Sequence, residues 1–210
     1  MSSETLAQAA YRRIKQDILQ GRIKPDTVLS ERELAEQQGI SRTPLRSALS
    51  RLERECVISR LQNGVLLVRS VSVEQLIEIV QLRQTLESAA AARAAEFGLT
   101  AELVELREVM AAYANGRTVA FDDFWAEDDK FHLAVAHAAR LELLPAILAE
   151  QRAIARRCTI TRTHDSFADQ AREHIAVIDA IAAGDGAAAR TAMKLHFENV
   201  RSRFLGWLSR

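Results

Sequence analysis

The sequence predicts a mainly α-helical protein with a small mixed N-terminal part and a longer part that contains only helices. In residues 1–70, three helical patterns precede two short β-branched segments, which flank Asn63-Gly64. An Asn-Gly pair between such segments is a strong signal for a β-hairpin. From residue 71 onwards the apolar residues keep helical spacing, and Gly and Pro occur almost only at breaks. We therefore expect a winged helix-turn-helix domain over 1–70 and an all-α antiparallel bundle of about six helices over 71–210.

Composition excludes several classes of protein. The chain has 210 residues and is 48% hydrophobic, which is enough for well-formed cores. Its two cysteines, Cys56 and Cys158, lie far apart, so neither a disulfide framework nor a cysteine zinc site is expected. The N-terminus lacks the apolar core of a signal peptide, and no apolar run approaches the ~20 residues needed to span a bilayer. These features predict a cytoplasmic protein with no membrane association.

Charge is divided unequally between the two parts. The net charge of the chain is zero, but residues 1–70 contain 12 Lys and Arg against 8 Asp and Glu, a net of +4. Residues 71–210 contain 16 Lys and Arg against 20 Asp and Glu, a net charge of −4. This asymmetry is typical of a basic binding module joined to an acidic regulatory module.

The first predicted helix covers residues 5–20, where apolar residues follow helical spacing until Gly21 interrupts them. Pro25 disfavours helical backbone at Lys24. The segment that follows the first helix, GRIKPDTVL, is therefore expected to be an extended connection.

The stretch Ser30–Glu55 predicts two short helices joined by a tight turn. Ser30 and Glu33 have the spacing of a capping box, in which each side chain binds a free backbone N–H at a helix start. The second helix should end before Gly39, and Ser41 is suited to cap the third. The third helix has a buried apolar stripe at Leu45, Ala48, Leu49 and Leu52.

Basic and hydroxyl side chains lie on the faces of the third helix that the core does not use. They are Arg42, Thr43, Arg46, Ser47, Ser50, Arg51 and Arg54. The major groove of DNA is ~12 Å wide and accepts one α-helix, and arginine can bond guanine in two places. We expect Arg42, Thr43 and Arg46 to contact bases, and Arg32 and the hairpin tip at Gly64 to touch phosphate or the minor groove. The alternative is that these arginines are only a solvated helix face.

Six helices are predicted for the longer part, all joined by short loops. They cover about 72–96, 101–114, 119–138, 141–158, 166–183 and 186–208. Loops this short place successive helices antiparallel to one another.

Four residues of the bundle are candidates for one metal site. Asp128 and His132 lie four apart on one helix face and can bind the same ion. His174 lies ten residues before the turn Gly184–Gly186, and His196 lies ten residues after it. At ~1.5 Å per residue, equal offsets put both histidines at the same height in an antiparallel pair. A carboxylate and three imidazoles suit a divalent ion such as zinc or nickel, although each histidine taken alone is more often structural.

The segment YRRIKQDILQGRIKPDTVLSERELAEQQGISRTPLRSALSRLERE resembles the DNA-binding domain of the GntR family of bacterial transcription regulators. The matches include Tyr11, Ile18, Gly21, Ile23, Pro25, Leu29, Glu31, Leu34, Ala35, Gly39, Ser41, Arg42, Thr43, Pro44, Arg46, Ala48, Leu49, Leu52 and Glu53. Members of that family commonly carry Gly where this chain has Asp26 and Cys56, and Glu where it has Ser47. The resemblance implies five DNA contacts, at Arg32, Arg42, Thr43, Arg46 and Gly64.

In the longer part, DDKFH, REHIAVIDAIAAGD and AAARTAMKLHFENV resemble the FCD ligand-binding domain of FadR-type GntR regulators. The metal-binding subset of that family carries its ligands at the positions of Asp128, His132, His174 and His196. His137 and His164 match no ligand position. One departure is Ala138-Ala139-Arg140-Leu141, where the domain usually reads Ala-Ser-Gly-Asn. Losing that glycine would allow the helix to continue.

Two residues are candidates for binding an effector. Arg83 matches a position that commonly faces the ligand cavity in the family, and an equally good interpretation is a salt bridge with Glu87. Asn199 lies three residues after His196 on the same helix face. A metal with open positions and a nearby arginine both offer charge-assisted contacts to a small carboxylate.

The combined hypothesis is a homodimeric transcription regulator that reads a palindromic DNA site and is controlled by a carboxylate metabolite. The sequence contains no nucleophile elbow, P-loop or Gly-rich nucleotide loop, which favours a sensor over an enzyme. Two alternatives remain open at this point. One is a metal-dependent enzyme with an accessory DNA-binding module, and the other is a protein that organises DNA without sequence preference.

Overall fold

The computed structural model of the protein describes residues 4–158 and 167–208, in two compact units. One unit contains the chain up to Ser72 with a short later segment that begins at Arg156, and the other contains Val73–Ala155 and the last two helices. The elements of the first unit are α1 (Leu6–Leu19), β1 (Val28–Leu29), α2 (Glu31–Gln38), α3 (Arg42–Arg54), β2 (Ile58–Arg60) and β3 (Leu66–Val68). Those of the second are α4 (Val73–Phe97), α5 (Ala101–Ala114), α6 (Phe121–Ala138), α7 (Leu144–Ala155), α8 (Phe167–Ala182) and α9 (Gly186–Leu208).

Helices α2 and α3 form the predicted helix-turn-helix. The Ser30 hydroxyl accepts a hydrogen bond from the N–H of Glu33 at 3.3 Å, and α2 ends at Gly39 with φ of 64°. The apolar stripe of α3 is fully covered: Leu45, Ala48, Leu49 and Leu52 are at most 1% exposed. Together with α1 they form the core of this unit.

Ser41 occupies the N-cap position of α3, but the expectation that its side chain caps the helix is wrong. An N-cap side chain normally accepts a hydrogen bond from the second or third helical N–H. The third helical residue here is Pro44, which has no N–H to donate. The proline that fits the first turn therefore removes one of the donors that a cap would use.

The predicted hairpin is present, and a third strand joins it. Strands β2 and β3 pair antiparallel with Ile58 opposite Val68, and β1 pairs with the other edge of β3, with Val28 opposite Leu67. The strand order is β1-β3-β2. Strand β1 has only two residues and so has no periodicity to detect, which is why the sequence predicted only an extended connection there.

Within residues 4–158 and 167–208, three residues other than glycine adopt left-handed backbone, each where the resembled family carries glycine. They are Asp26 at φ 61°, Cys56 at φ 52° and Arg140 at φ 55°. The turns that glycine normally makes are thus kept with side chains that this conformation disfavours. Because Arg140 turns the chain in this way, α6 ends at Ala138, and the expectation that the helix could continue past it is wrong.

Replacing Cys56 with glycine is expected to raise the free energy of unfolding of the N-terminal unit by about 1 kcal/mol. Left-handed backbone costs a non-glycine residue roughly 1–2 kcal/mol, and glycine avoids this cost. The unfolded chain gains conformational entropy with glycine, which reduces the benefit by about 0.5–1 kcal/mol. Cys56 is exposed and unpaired, so little packing is lost. Urea denaturation followed by circular dichroism measures the change. The matched control is Cys56→Ala, which keeps the Cβ; an equal gain in both variants would contradict the backbone explanation.

The second unit is the predicted bundle of six helices, in which α4 and α9 pack together closely. A Cβ atom added at Gly186 would lie 2.9 Å from the carbonyl oxygen of Ala92, so only glycine permits this approach. The C-terminal part of α4 contributes a run of buried small side chains, namely Ala90, Ala91, Ala94 and Ala95. Among the described helices, none has the length and apolar character required to cross a membrane.

Candidate nucleic-acid interface and metal centre

The five predicted DNA contacts are all exposed on the N-terminal unit. Arg42, Thr43 and Arg46 lie in the first half of α3, away from its buried stripe, and Arg32 lies on α2. Gly64 is exposed in the turn between β2 and β3, with φ of 82°. The structure thus leaves one face of α3 and the hairpin tip open to solvent.

Arg46 is oriented by an ion pair. Its Nε donates a hydrogen bond to Glu31 Oε2 at 2.9 Å, while the side chain stays 64% exposed. Ion pairs this exposed contribute at most about 1 kcal/mol, so the guanidinium can exchange its partner for a DNA group at little cost. Arg42 forms no ion pair with any residue that the structure describes.

Arg51, by contrast, is part of a cluster that fastens α1 to the end of α3. Its guanidinium lies 3.9 Å from the Tyr11 ring centroid, and its Nε donates to Glu55 at 3.1 Å. Tyr11 and Lys15 also donate to Glu55, both at 2.6 Å. Burial alone would raise the pKa of the Glu55 carboxyl, but the hydrogen bonds from Lys15 and Tyr11 outweigh it and lower that pKa. Arg51 is therefore committed to the fold.

The structure brings the four predicted metal ligands together inside the second unit. Asp128 and His132 come from α6, His174 from α8 and His196 from α9, and none is more than 4% exposed. Ligand nitrogens of the three histidines lie within 4.8 Å of one another. Asp128 Oδ1 lies 3.3 Å from His174 Nε2 and 3.8 Å from His132 Nε2. The exposed His137 lies apart from this cluster, and His164 falls outside the described residues.

The donor atoms of this cluster are those that a divalent ion requires. Both ring nitrogens of His174 are buried and lack a hydrogen-bond partner among the described residues, since the nearby Asp128 oxygen is not in hydrogen-bonding geometry. Burial lowers the pKa of His132 well below its ordinary value and that of His174 to about 3. Burial alone would raise the pKa of Asp128, but the Arg152 guanidinium beside it holds that pKa well below the ordinary value. Neutral imidazoles beside an ionised carboxylate are the protonation states that bind metal.

Two glutamates that the sequence did not reveal orient these histidines. Glu87 Oε2 contacts His132 Nδ1 on one side of the cluster, and Glu173 Oε2 lies 2.8 Å from His196 Nδ1 on another. Each contact occupies the Nδ1 atom of its histidine and leaves the Nε2 atom available for another partner. Carboxylates orient histidines in this way around protein metal sites. Glu87 was expected only as a partner of Arg83, and the partners of Glu173 lie on another helix, so no local motif pointed to this role.

Glu173 is held by groups from α9. Arg203 donates to its two oxygens at 2.8 and 2.9 Å, and Asn199 Nδ2 donates to Oε1 at 2.8 Å. Burial would raise the pKa of Glu173, but Arg203 and His196 lower it to about 2. Asn199 lines a surface groove with Glu173 and does not line the cavity beside the histidines, where effector binding was predicted for it.

Arg152 closes the cluster from α7. This side chain is 3% exposed and donates to both Asp128 and Asp129. Gln170 donates to Asp128 Oδ1 at 2.8 Å. Asp128 is therefore fixed by a cation and an amide, while its Oδ1 stays close to the histidines.

A cavity lies beside the histidine cluster, and Arg83 lines it. Arg83 Nε donates to Glu87 Oε1 at 2.8 Å, so the predicted salt bridge exists, and its partner is the carboxylate that orients His132. Both interpretations of Arg83 therefore apply: it pairs with Glu87 and faces the cavity.

Comparison with known proteins identifies the family. Residues 6–68 match the description "Bacterial regulatory proteins, gntR family", and residues 78–199 match the FCD domain. The chain belongs to the GntR family. It is a DNA-binding transcription regulator with a C-terminal effector-binding domain, as the resemblance implied.

Similar proteins support this assignment over the full length. The chain is 30% identical to the regulator LutR of Bacillus subtilis, covering 90% of this chain and 97% of LutR. It is 28% identical to the repressor RspR of Escherichia coli, covering 94% of this chain and 88% of RspR. The solved structure of E. coli McbR/YncC has the same fold, with a TM-score of 0.71 at 24% identity. The match covers 98% of this chain and 100% of that chain. LutR and RspR are named as transcription regulators, and the matched domains are those of regulators, which agrees with the prediction that this GntR protein is not an enzyme.

Proposed function

We propose that this GntR regulator binds a palindromic operator as a homodimer, and that a small carboxylate bound at a divalent metal ion in the FCD domain controls that binding. The observation that carries the proposal is a set of buried nitrogens beside Asp128, His132 and His196. Both ring nitrogens of His174 and Nη2 of Arg83 have no hydrogen-bond partner among the described residues. A metal ion and an anion would satisfy them together.

The chemistry of the ligand set supports zinc or nickel. Three imidazoles and one carboxylate suit borderline divalent ions. The residues that would hold the ion are Asp128, His132, His174 and His196. When bound, the ion supplies positive charge and open coordination positions for an oxygen ligand. Glu87 and Glu173 hold the rings of His132 and His196 in orientation, which lowers the entropy lost on binding.

Arg83 supports an anionic effector. Its Nη2 is buried and has no hydrogen-bond partner among the described residues, whereas its Nε is fixed by Glu87. A buried donor without a hydrogen-bond partner costs about 1–3 kcal/mol of stability. A carboxylate oxygen would remove that cost by accepting a charge-assisted hydrogen bond. The arginine is thus in place before the effector arrives.

The geometry of DNA recognition supports a dimer. Helix α3 has 13 residues, and only its first half carries the exposed reading groups. One such helix offers few base contacts, whereas a two-fold dimer reads two half-sites and gains specific affinity. The effector must then favour one placement of the two reading helices, through a coupling free energy of typically ~1–3 kcal/mol.

The proposal is tested on the full-length zinc-loaded protein with an operator selected from random duplexes. An active carboxylate from a metabolite panel should change operator affinity by roughly 5–150-fold, measured by fluorescence anisotropy. Arg83→Gln, which keeps a donor for Glu87 but loses the charge, should bind the operator normally and lose this response.

The matched control is Arg201→Leu, which removes an exposed arginine of α9 and should keep the response. An undiminished response in Arg83→Gln would contradict the assigned effector site. Equal affinity for the selected operator and unrelated DNA would instead indicate a protein that organises DNA without sequence preference.

A further inference from the structure

The cavity beside the histidine cluster has walls that are mostly carbon. Helices α4, α6 and α9 contribute aliphatic and aromatic side chains that surround it. They include Leu76, Val80, Phe124, Trp125, Phe197 and Phe204. Burying an apolar ligand against such walls is favourable because it removes carbon surface from water, and the carbon atoms of the walls form no hydrogen bond with a hydroxyl group.

Most polar side chains that line this cavity are already engaged with protein partners. Arg152 and Gln170 donate to Asp128, and Arg203 donates to Glu173. A ligand with many hydroxyl groups would have to break these hydrogen bonds or leave its own unmade. Either choice costs binding free energy.

Two donors in the cavity lining are exceptions. Arg83 Nη2 and Trp125 Nε1 are both buried, and neither has a hydrogen-bond partner in the described part of the chain. Both side chains are held in place: the guanidinium of Arg83 lies 5.0 Å from the Phe197 ring centroid, and that of Arg152 lies 5.3 Å from the Trp125 ring centroid. Fixed donors without partners indicate acceptor atoms on the ligand, one at each position.

We propose that the effector is an amphipathic carboxylate with three parts. Its carboxylate binds at the metal and Arg83, its alkyl or aromatic body fills the space against Phe124 and Phe204, and an acceptor oxygen on that body receives the N–H of Trp125. The inference rests on the proposed function of the same site and names the class of effector. Polyhydroxy acids are excluded by the carbon walls and by the prior engagement of the polar lining.

Isothermal titration of the full-length zinc-loaded protein tests the apolar body with two matched probes. Hexanoate and gluconate have six carbons and the same head group, but gluconate carries hydroxyl groups along its chain. Affinity should rise roughly fourfold per methylene from butyrate to hexanoate, as expected for carbon leaving water. Gluconate should bind no more tightly than acetate.

The Trp125→Phe variant tests the acceptor, since it keeps an aromatic ring and removes the N–H. Either 4-oxohexanoate or 5-oxohexanoate should bind the unmodified protein more tightly than hexanoate does, by roughly fivefold or more for one added hydrogen bond. That advantage should disappear in Trp125→Phe, whereas hexanoate binding should change little. An advantage that persists in the variant would overturn the role of Trp125.

The remaining outcomes separate this inference from the proposed function. A flat series from butyrate to hexanoate, or gluconate binding more tightly than hexanoate, would overturn the apolar body; if Arg83→Gln still weakens every probe, the carboxylate site itself stands. Absence of binding by all of these carboxylates would overturn both. Hexanoate binding that survives zinc removal and Arg83→Gln would overturn the placement of the head group.

Discussion

Replacing Arg42 with alanine is expected to lower operator affinity by about 2–6 kcal/mol, because a dimer loses one bidentate base contact of about 1–3 kcal/mol in each half-site. Arg42 is the first residue of α3, is exposed, and has no ion pair among the described residues. Its guanidinium can therefore reach a base edge without first leaving a protein partner. Fluorescence anisotropy with the selected operator measures the loss, and circular dichroism confirms that the variant is folded.

The matched control for this prediction is Arg54→Ala, which removes an exposed arginine from the other end of the same helix. We expect this variant to lower the affinity for the selected operator and for unrelated DNA by a similar small factor, because a contact there would be to phosphate. Arg46→Ala should resemble Arg42→Ala and also leave Glu31 without its 2.9 Å partner at the DNA surface. Undiminished specific binding in both Arg42→Ala and Arg46→Ala would refute α3 as the reading helix.

Purified regulator that has been supplied with zinc or nickel, without chelator, is expected to carry about one divalent ion per chain, whereas His174→Ala should carry almost none. Asp128, His132, His174 and His196 would hold the ion, and His174→Ala removes one of these four protein ligands from a site that has no spare one among them. Elemental analysis after gel filtration measures the ion. Metal that binds the folded chain and not the unfolded one stabilises the fold. Removing the metal should therefore lower the melting temperature of the parent protein but not that of the variant.

His137→Ala is the matched control for the metal prediction, since His137 also lies on α6 but has a side chain that is 57% exposed and should not affect the ion. Glu173→Gln gives an intermediate case. Losing the carboxylate at His196 should lower the affinity for the metal about 10–100-fold without abolishing binding. A parent protein without metal after this treatment, or full occupancy in His174→Ala, would refute the site.

The sequence alone predicted the elements that depend on neighbouring residues. Periodicity and caps located the helices, and Asn63-Gly64 located the hairpin. The cluster of Asp128, His132, His174 and His196 was also predictable, for a geometric reason. One pair is spaced by a helical turn, and the other pair is equidistant from a tight turn in an antiparallel hairpin. Both relations can be counted along the chain.

The tertiary structure decided what depends on residues that are distant in sequence. Glu87 and His132 are 45 residues apart, and Glu173 and Arg203 are 30 apart. Neither contact has a spacing that the sequence could reveal, because it depends on how separate helices are rotated about their axes. The same rotation directs Asn199 to Glu173 and Trp125 to the cavity. Local pattern thus determined which of these four side chains meet, whereas packing between helices determined how they are held and what chemistry surrounds them.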